Sequence, residues 1–386
     1  MESLDHPAVL MKTIPGAKEV VSMRFGLFNL LQHPDAAKRP DVYRDELERQ
    51  LEQMEYAEEL GFHSVWLAEH HFSEYGMMSD AMLLAAHLAA RTRRIRIGIA
   101  VTVLPFNNPV RLAEQTAAVD CLSRGRFIQG VGRGYQPAEF AGFGIAMEES
   151  RARFEEGLDV MIKALSQSSF HHTGRFYHYP EISIYPKPMQ KPHPPLYIAS
   201  VSDETIVSTA KKRLPMLTGQ VFLPFEKTLE KVQLYQKALQ ESGVAQPEIE
   251  RLTRDSFFQR FIYVAETNEQ SKRDAQTALM NYIKVLTKAT LPPFASKLPA
   301  TYTDYRRRAE DRTKLTFDQM WEETLIFGDP DRCAKRIREL RGMGVNSLLC
   351  WMVFGGLEHA KVLRSMELFA KHVMPQFQER PAALAV

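Results

Sequence analysis

Residues 64–72 read Ser64-Val65-Trp66-Leu67-Ala68-Glu69-His70-His71-Phe72, an apolar run that ends abruptly in a carboxylate and two histidines. Five residues without a charge, bounded by polar groups, predict a strand buried on both faces, the kind found in parallel sheets covered by helices. The same unit recurs on either side. Upstream, Arg24–Leu30 reads as a strand, followed by a helix with apolar positions Leu47, Leu51, Met54 and Leu60 that stops at Gly61. Downstream, a helix over Ala81–Ala90 leads to a strand over Arg96–Val103, rich in Ile and Val on both faces. Asn108-Pro109 then opens a helix to about Leu122, with proline in its favoured first turn.

The alternation continues with strand Arg126–Gly130 and helix Ser150–Leu165. Between Phe170 and Pro195 aromatics, prolines and histidines break the period, which predicts a β-hairpin excursion. Strands Leu196–Ala199, Pro215–Leu217, Phe257–Ala265 and Ser347–Met352 follow, separated by helices Asp203–Lys212, Phe225–Glu241, Glu269–Lys288 and Asp331–Gly342, with Glu358–Met374 closing. Eight such strands close a barrel. The expected fold is therefore α/β, a (β/α)8 TIM barrel with insertions at about 170–195 and 290–321. A doubly wound open sheet is the alternative, but Leu30–Pro40 lacks the glycine-rich turn that marks its nucleotide site.

A barrel needs about 250 residues, so the 386 here fit one elaborated barrel over 23–386, preceded by a flexible tail over 1–22. Thr290–Trp321, with three prolines and a charged run, reads as a long irregular insertion. Lys+Arg at 49 against Asp+Glu at 47 offers no electrostatic footprint for nucleic acid or an anionic membrane. No run of about 18 apolar residues is present to span a bilayer. Cys121, Cys333 and Cys350 are scattered and odd in number, which suits a reducing cytoplasmic location over a disulfide framework.

Working residues of such barrels sit at the carboxyl ends of the strands. Glu69-His70-His71 could hold a metal, serve structural hydrogen bonds, or move protons and bind substrate. Neighbours on a strand point to opposite sides, which argues against the two histidines sharing one ion, and no third ligand is evident. Imidazole titrates near neutral pH, which favours proton transfer or substrate binding. In Gly130-Val131-Gly132-Arg133-Gly134-Tyr135 the glycines admit a ligand close to the backbone, and the arginine can fork onto a phosphate. Ala199-Ser200-Val201-Ser202-Asp203-Glu204-Thr205 enters a helix. Its hydroxyls suit a cap or, equally, a phosphate site at the helix N-terminus. Gly98–Pro105 reads by composition as buried core.

Together these segments resemble the luciferase-like flavin-dependent monooxygenases, from Met23 to about Gln378. The most specific pieces are Val65–Phe72, Val103-Leu104-Pro105 with Asn108-Pro109-Val110-Arg111, Ser123-Arg124-Gly125-Arg126-Phe127, and the closing Ser365–Phe369 with Val373-Met374-Pro375. The resemblance implies FMN as cofactor, used as FMNH2 with O2 as cosubstrate, and a flavin C4a-hydroperoxide that oxygenates a carbonyl or other small organic substrate. It implies His70 as the catalytic histidine, with His71 and Glu69 beside it as substrate-binding residues. Arg133, Ser202 and Thr205 fall on the phosphate ligands, next to Ala199 and Ser200, and Ala100-Val101 on a non-prolyl cis peptide beneath the flavin ring. Thr290–Trp321 occupies the place of a mobile active-site loop. No NAD(P)H fingerprint is present, so a separate flavin reductase is the implied partner. Helices about Asp80–Arg91 and Pro109–Leu122 are implied to pair in a homodimer. Two departures stand out: Gly132 replaces a reactive cysteine of luciferase, leaving more room and no thiol, and Val201 replaces a glutamate. An F420-dependent oxidoreductase on the same barrel and a non-catalytic flavin-binding partner subunit are the rival readings.

Overall fold

The computed structural model describes residues 22–36, 38–39, 41–290 and 303–378. The N-terminal tail and the first part of the 290–321 insertion lie outside the described residues. Eight parallel strands close into a barrel: β1 (Arg24–Asn29), β2 (Ser64–Leu67), β3 (Arg96–Ile99), β4 (Phe127–Gly132), β5 (Leu196–Ala199), β6 (Met216–Thr218), β7 (Phe257–Val264) and β8 (Ser347–Trp351). Each pairs with the next, and β8 pairs with β1 through Phe28 opposite Trp351, so no edge is left open.

Period-two alternation sorts the side chains into two cores. Val65 and Leu67 of β2 face outward, against Leu84, Leu88 and Leu112 of the surrounding helices. Trp66 faces into the lumen with Phe28, Tyr197, Phe257, Phe261 and Trp351. The indole fits because its neighbours are small: a Cβ at Gly98 would stand 2.4 Å from Trp66 Cε3. Removing a side chain of this size from a core costs about 3–5 kcal/mol. Helices Ala81–Arg91 and Pro109–Leu122 start at side-chain caps, where Asp80 accepts from the Met82 N–H (3.0 Å) and Asn108 from the Val110 N–H (3.0 Å). Arg126 then ties the end of the first of these helices to the barrel, donating to the Ala89 and Ile95 carbonyls, each at 2.9 Å.

The hairpin excursion is present, as antiparallel strands Phe170–Thr173 and His178–Ile182. Three expectations change. The third strand does not run unbroken to Val103: it stops at Ile99 and resumes as Thr102–Val103 after a cis Ala100–Val101 peptide. The insertion is not irregular throughout, because helices Thr303–Arg312 and Phe317–Glu323 form within it, the second started by a Thr316/Gln319 capping box. Short elements were also missed, namely helices Pro137–Gly142 and Gln246–Asp255 and a strand Ile326–Gly328 that extends β7. Each has ten residues or fewer, too short for a periodic pattern to declare itself.

Candidate active site

Where β2 ends, its alternation decides which side chains meet. Trp66 and Ala68 point into the lumen, and His70 continues that row. The His70 ring stands edge-on to Tyr75, 4.7 Å between centroids, and its Nε2 is 3.4 Å from the Tyr135 hydroxyl. The other ring nitrogen, Nδ1, lies 2.9 Å from Glu139 Oε1 and 3.0 Å from Gln136 Nε2. Glu139 is only 1% exposed, and its Oε1 also accepts the His71 backbone N–H at 3.0 Å. The Tyr75 hydroxyl is 3.1 Å from that of Tyr282, and burial pushes the Tyr75 phenol above its ordinary pKa.

Glu69 and His71 take the other side of the strand. His71 Nε2 is 3.3 Å from Glu69 Oε1, and the same oxygen lies 3.4 Å from the Val103 N–H that donates to it. Together with Asp80, Phe106, Gln115 and Phe143 they line a cleft of about 400 Å³ between the helices outside the barrel. Glu69 and His71 thus line this cleft, while the His70 ring meets Tyr75, Tyr135 and Glu139.

The next three strands supply small groups and backbone. Gly130 and Gly132 face the cis Ala100–Val101 peptide so closely that a Cβ at Gly130 would stand 2.1 Å from the Ile99 carbonyl. A Cβ at Gly132 would stand 2.6 Å from Val101 Cγ2. Loss of the luciferase cysteine therefore leaves no extra room, since the Val101 side chain already fills that space. Arg133 follows, half-buried at the end of β4. Beyond β5, Ser202 is the N-cap of helix Asp203–Lys211, its oxygen 2.6 Å from the Thr205 hydroxyl and 3.3 Å from the Thr205 N–H. Ala199 packs its Cβ towards Gly132, whereas Ser200 is fully buried and turns its hydroxyl to Thr209 at 2.8 Å. Of the two, only Ala199 borders the glycine floor with its side chain.

These features suit FMN. Gly130 and Gly132 let the cis peptide and Val101 pack down on β4, so the ring would rest on that peptide, and a capped helix N-terminus with an arginine one strand earlier suits a phosphate. The sequence motifs single out His70, Arg133, Ser202 and Thr205 and give no role to Glu139, Gln136 or Tyr135. Pro137 followed by Glu139 was the available signal, because proline at the first position and an acid in the first turn start a helix.

A family model described as luciferase-like monooxygenase matches residues 23–347. The chain belongs to that family. It is similar to the alkanal monooxygenase alpha chain of the Kryptophanaron alfredi symbiont, 24% identical over 93% of this chain and 99% of that one. It is likewise 24% identical to the oxygenase component of a flavin-dependent trigonelline monooxygenase from Acinetobacter baylyi, over 92% and 96% of the two chains. Among solved structures, monooxygenase RslO1 from Streptomyces bottropensis superposes with a TM-score of 0.76 at 27% identity, covering 92% of this chain and all of that one. The oxygenating constituent of 3,6-diketocamphane monooxygenase from Pseudomonas putida, solved with FMN, shares the fold at 18% identity and a TM-score of 0.75 over 93% and 100%. This luciferase-like protein is accordingly a flavin-dependent monooxygenase, its barrel mouth the place to look for the flavin.

Proposed function

We propose that the protein is the oxygenase of a two-component system, taking FMNH2 from a separate flavin reductase and using O2 to oxygenate a carbonyl or other small organic substrate. The observation that carries this reading is the arrangement of one mouth: His70, braced by a buried carboxylate, stands at the end of β2, and β3 to β5 follow with a glycine-backed cis peptide and a capped helix N-terminus. FMN, when bound and reduced, supplies the electrons that activate O2. Arg133 forks onto its phosphate, and Ser202 and Thr205 add hydroxyl and N–H donors. The Ala100–Val101 peptide, with Gly130 and Gly132, supports the ring. His70 takes up and returns a proton at Nε2. The aromatic lumen, from Phe28 round to Trp351 and Tyr282, excludes water from the reacting centre.

The same reading takes the protein as a homodimer of the reducing cytoplasm. Helices Ala81–Arg91 and Pro109–Leu122 present Leu83 and Leu122, 69% and 64% exposed, among the small residues Ala86 and Ala118, with Phe72 close by at 63%. Small residues let paired helices approach. Sedimentation at micromolar concentration checks this, and a monomeric mass refutes it.

The chemistry is tested by mixing the protein anaerobically with FMNH2 or reduced F420 and then admitting ¹⁸O2 with a panel of aldehydes and cyclic ketones. The expected result is tight binding of FMNH2 and one ¹⁸O atom in a product. Binding of F420 with hydride transfer and no label in any product would establish the rival oxidoreductase instead.

A further inference from the structure

We propose that Glu139 is a positioning residue: it fixes His70 as the Nδ1–H tautomer and so leaves the Nε2 lone pair facing the barrel mouth. This rests on the reading of His70 as the proton carrier and says how the chain prepares it.

The argument begins with a conflict at one atom. Nδ1 of His70 lies 2.9 Å from a carboxylate oxygen of Glu139 and 3.0 Å from the side-chain amide of Gln136. A carboxylate only accepts and the NH2 of an amide only donates, so a neutral imidazole cannot satisfy both through one nitrogen. The carboxylate wins. It is 1% exposed, and turning a lone pair towards a buried anion costs far more than rotating an amide about its own axis. Gln136 has the means to yield: its Oε1 is buried without a partner among the described residues, and a half-turn of the amide brings that oxygen to Nδ1. Both neighbours then accept from a single Nδ1–H. Nε2, 3.4 Å from the Tyr135 hydroxyl, is left as the basic nitrogen.

Stability does not account for the carboxylate. Its one other side-chain bond among the described residues, accepted from the His71 N–H at 3.0 Å, would be accepted as well by the oxygen of a glutamine. Its second oxygen, Oε2, is buried with no partner among the described residues, a state that destabilises the fold. A buried charge kept at such a cost is explained by what it does to the imidazole. The local chain holds it firmly: Pro137 starts the helix Pro137–Gly142, the Glu139 N–H donates to the Gln136 carbonyl at 3.1 Å, and the Glu139 carbonyl accepts from Phe143 at 3.0 Å. The carboxylate thus arrives at His70 from 69 residues away on a rigid turn.

The tautomer is read directly by ¹⁵N–¹H correlation through the imidazole ring of the flavin-free protein, with His70 assigned by the signal lost in His70→Asn. The expected wild-type state is Nδ1–H. An Nε2–H tautomer in the wild type overturns the proposal without any variant. Glu139→Met, of similar length but unable to accept a hydrogen bond there, should shift His70 towards Nε2–H, whereas Glu139→Gln, whose Oε1 can still accept from both Nδ1–H and the His71 N–H, should leave it as Nδ1–H. Gln136→Leu should leave it as Nδ1–H. If Gln136→Leu moves the tautomer and Glu139→Met does not, the amide and not the acid positions the ring, and the proposal falls. In the FMNH2-loaded protein, Glu139→Met should lower product yield with flavin affinity unchanged, by no more than the roughly 10²–10⁴-fold a lost acid–base group costs. Added to His70→Ala it should cost nothing further. Should His70→Ala keep full yield, the proton-carrier reading fails on its own, while the tautomer measurement still decides the positioning claim.

Discussion

Strand β2 has a histidine at each end, and the two have opposite surroundings. His63 precedes the strand at the amino-terminal face of the barrel, its ring 6.0 Å from Phe257 and its Nδ1 3.1 Å from Ser64 Oγ. Burial, reinforced by the guanidinium groups of Arg24 and Arg96, pushes its pKa down to about 4. His70 follows the strand at the carboxyl-terminal face and meets the buried carboxylate of Glu139. One end places cations around an imidazole that must stay neutral, and the other places an acceptor where a proton must be held and released. The contrast follows the division of labour in these barrels, with stability at the bottom and chemistry at the top.

The largest effect that tests this division comes from His70→Ala. The substitution removes no phosphate contact, so FMNH2 affinity should remain while product per FMNH2 oxidised falls by about 10²-fold or more; the lost ring contact with Tyr75 and the lost Glu139 partner lower stability without touching that ratio. The unproductive share of the flavin should appear as H2O2. Wild-type yield in this variant would make the upper histidine as structural as the lower one and erase the comparison.

Next in size is the crowding beneath the proposed ring. Gly132→Cys pushes a Cβ to within 2.6 Å of Val101 Cγ2, and a β-branched side chain cannot rotate aside freely. The variant should lose about 1–3 kcal/mol of stability by denaturant unfolding, the range for overpacking. Val101→Ala should restore most of that loss in the double variant. If the two substitutions simply add, Val101 is not what fills the cysteine's place.

Arg133→Ala should weaken FMN binding by about 1.5–3 kcal/mol, the range for hydrogen bonds to a charged group. Riboflavin, which lacks the phosphate, should bind as before. Equal losses for both would move the arginine from the phosphate to another role.

What the sequence revealed follows the same line between local and distant causes. The eight strands were legible because most of their positions are apolar on both faces and they are bounded by helix caps such as Asn108 and Ser202, all information carried within about ten residues. His70 and the helix N-terminus at Ser202 were legible for the same reason, since a strand end and a cap announce themselves. Glu139 was not, because its function depends on a contact made 69 residues away by a six-residue helix. The separation of Glu69 and His71 from His70 has a different cause. Alternation was already in hand to separate His70 from His71, and carried one residue further back it sends Glu69 outward as well. The role of Val101 needed coordinates, because a substitution at Gly132 is compensated on another strand.

The smallest effect lies at the lower end of β2 and concerns stability alone. His63 has a folded pKa of about 4 against 6.5 for the free side chain, so between those values the unfolded chain binds a proton that the folded chain refuses. The sign follows: stability is intact above pH 6.5, declines as pH falls towards 4, and loses nothing further from this group below that. The full span is at most about 3 kcal/mol, and solvent reaching the half-buried ring will reduce it. His63→Gln keeps a polar group near Ser64 without the titration, so its unfolding free energy should be flatter than wild type between pH 6.5 and 4. Activity at neutral pH should be unchanged in this variant, since the substitution lies a strand's length from the mouth. If the acid slope persists in His63→Gln, the lower histidine is not the group being titrated. If neutral-pH activity falls as well, the two ends of β2 are coupled, and the separation of stability from chemistry along this strand is wrong.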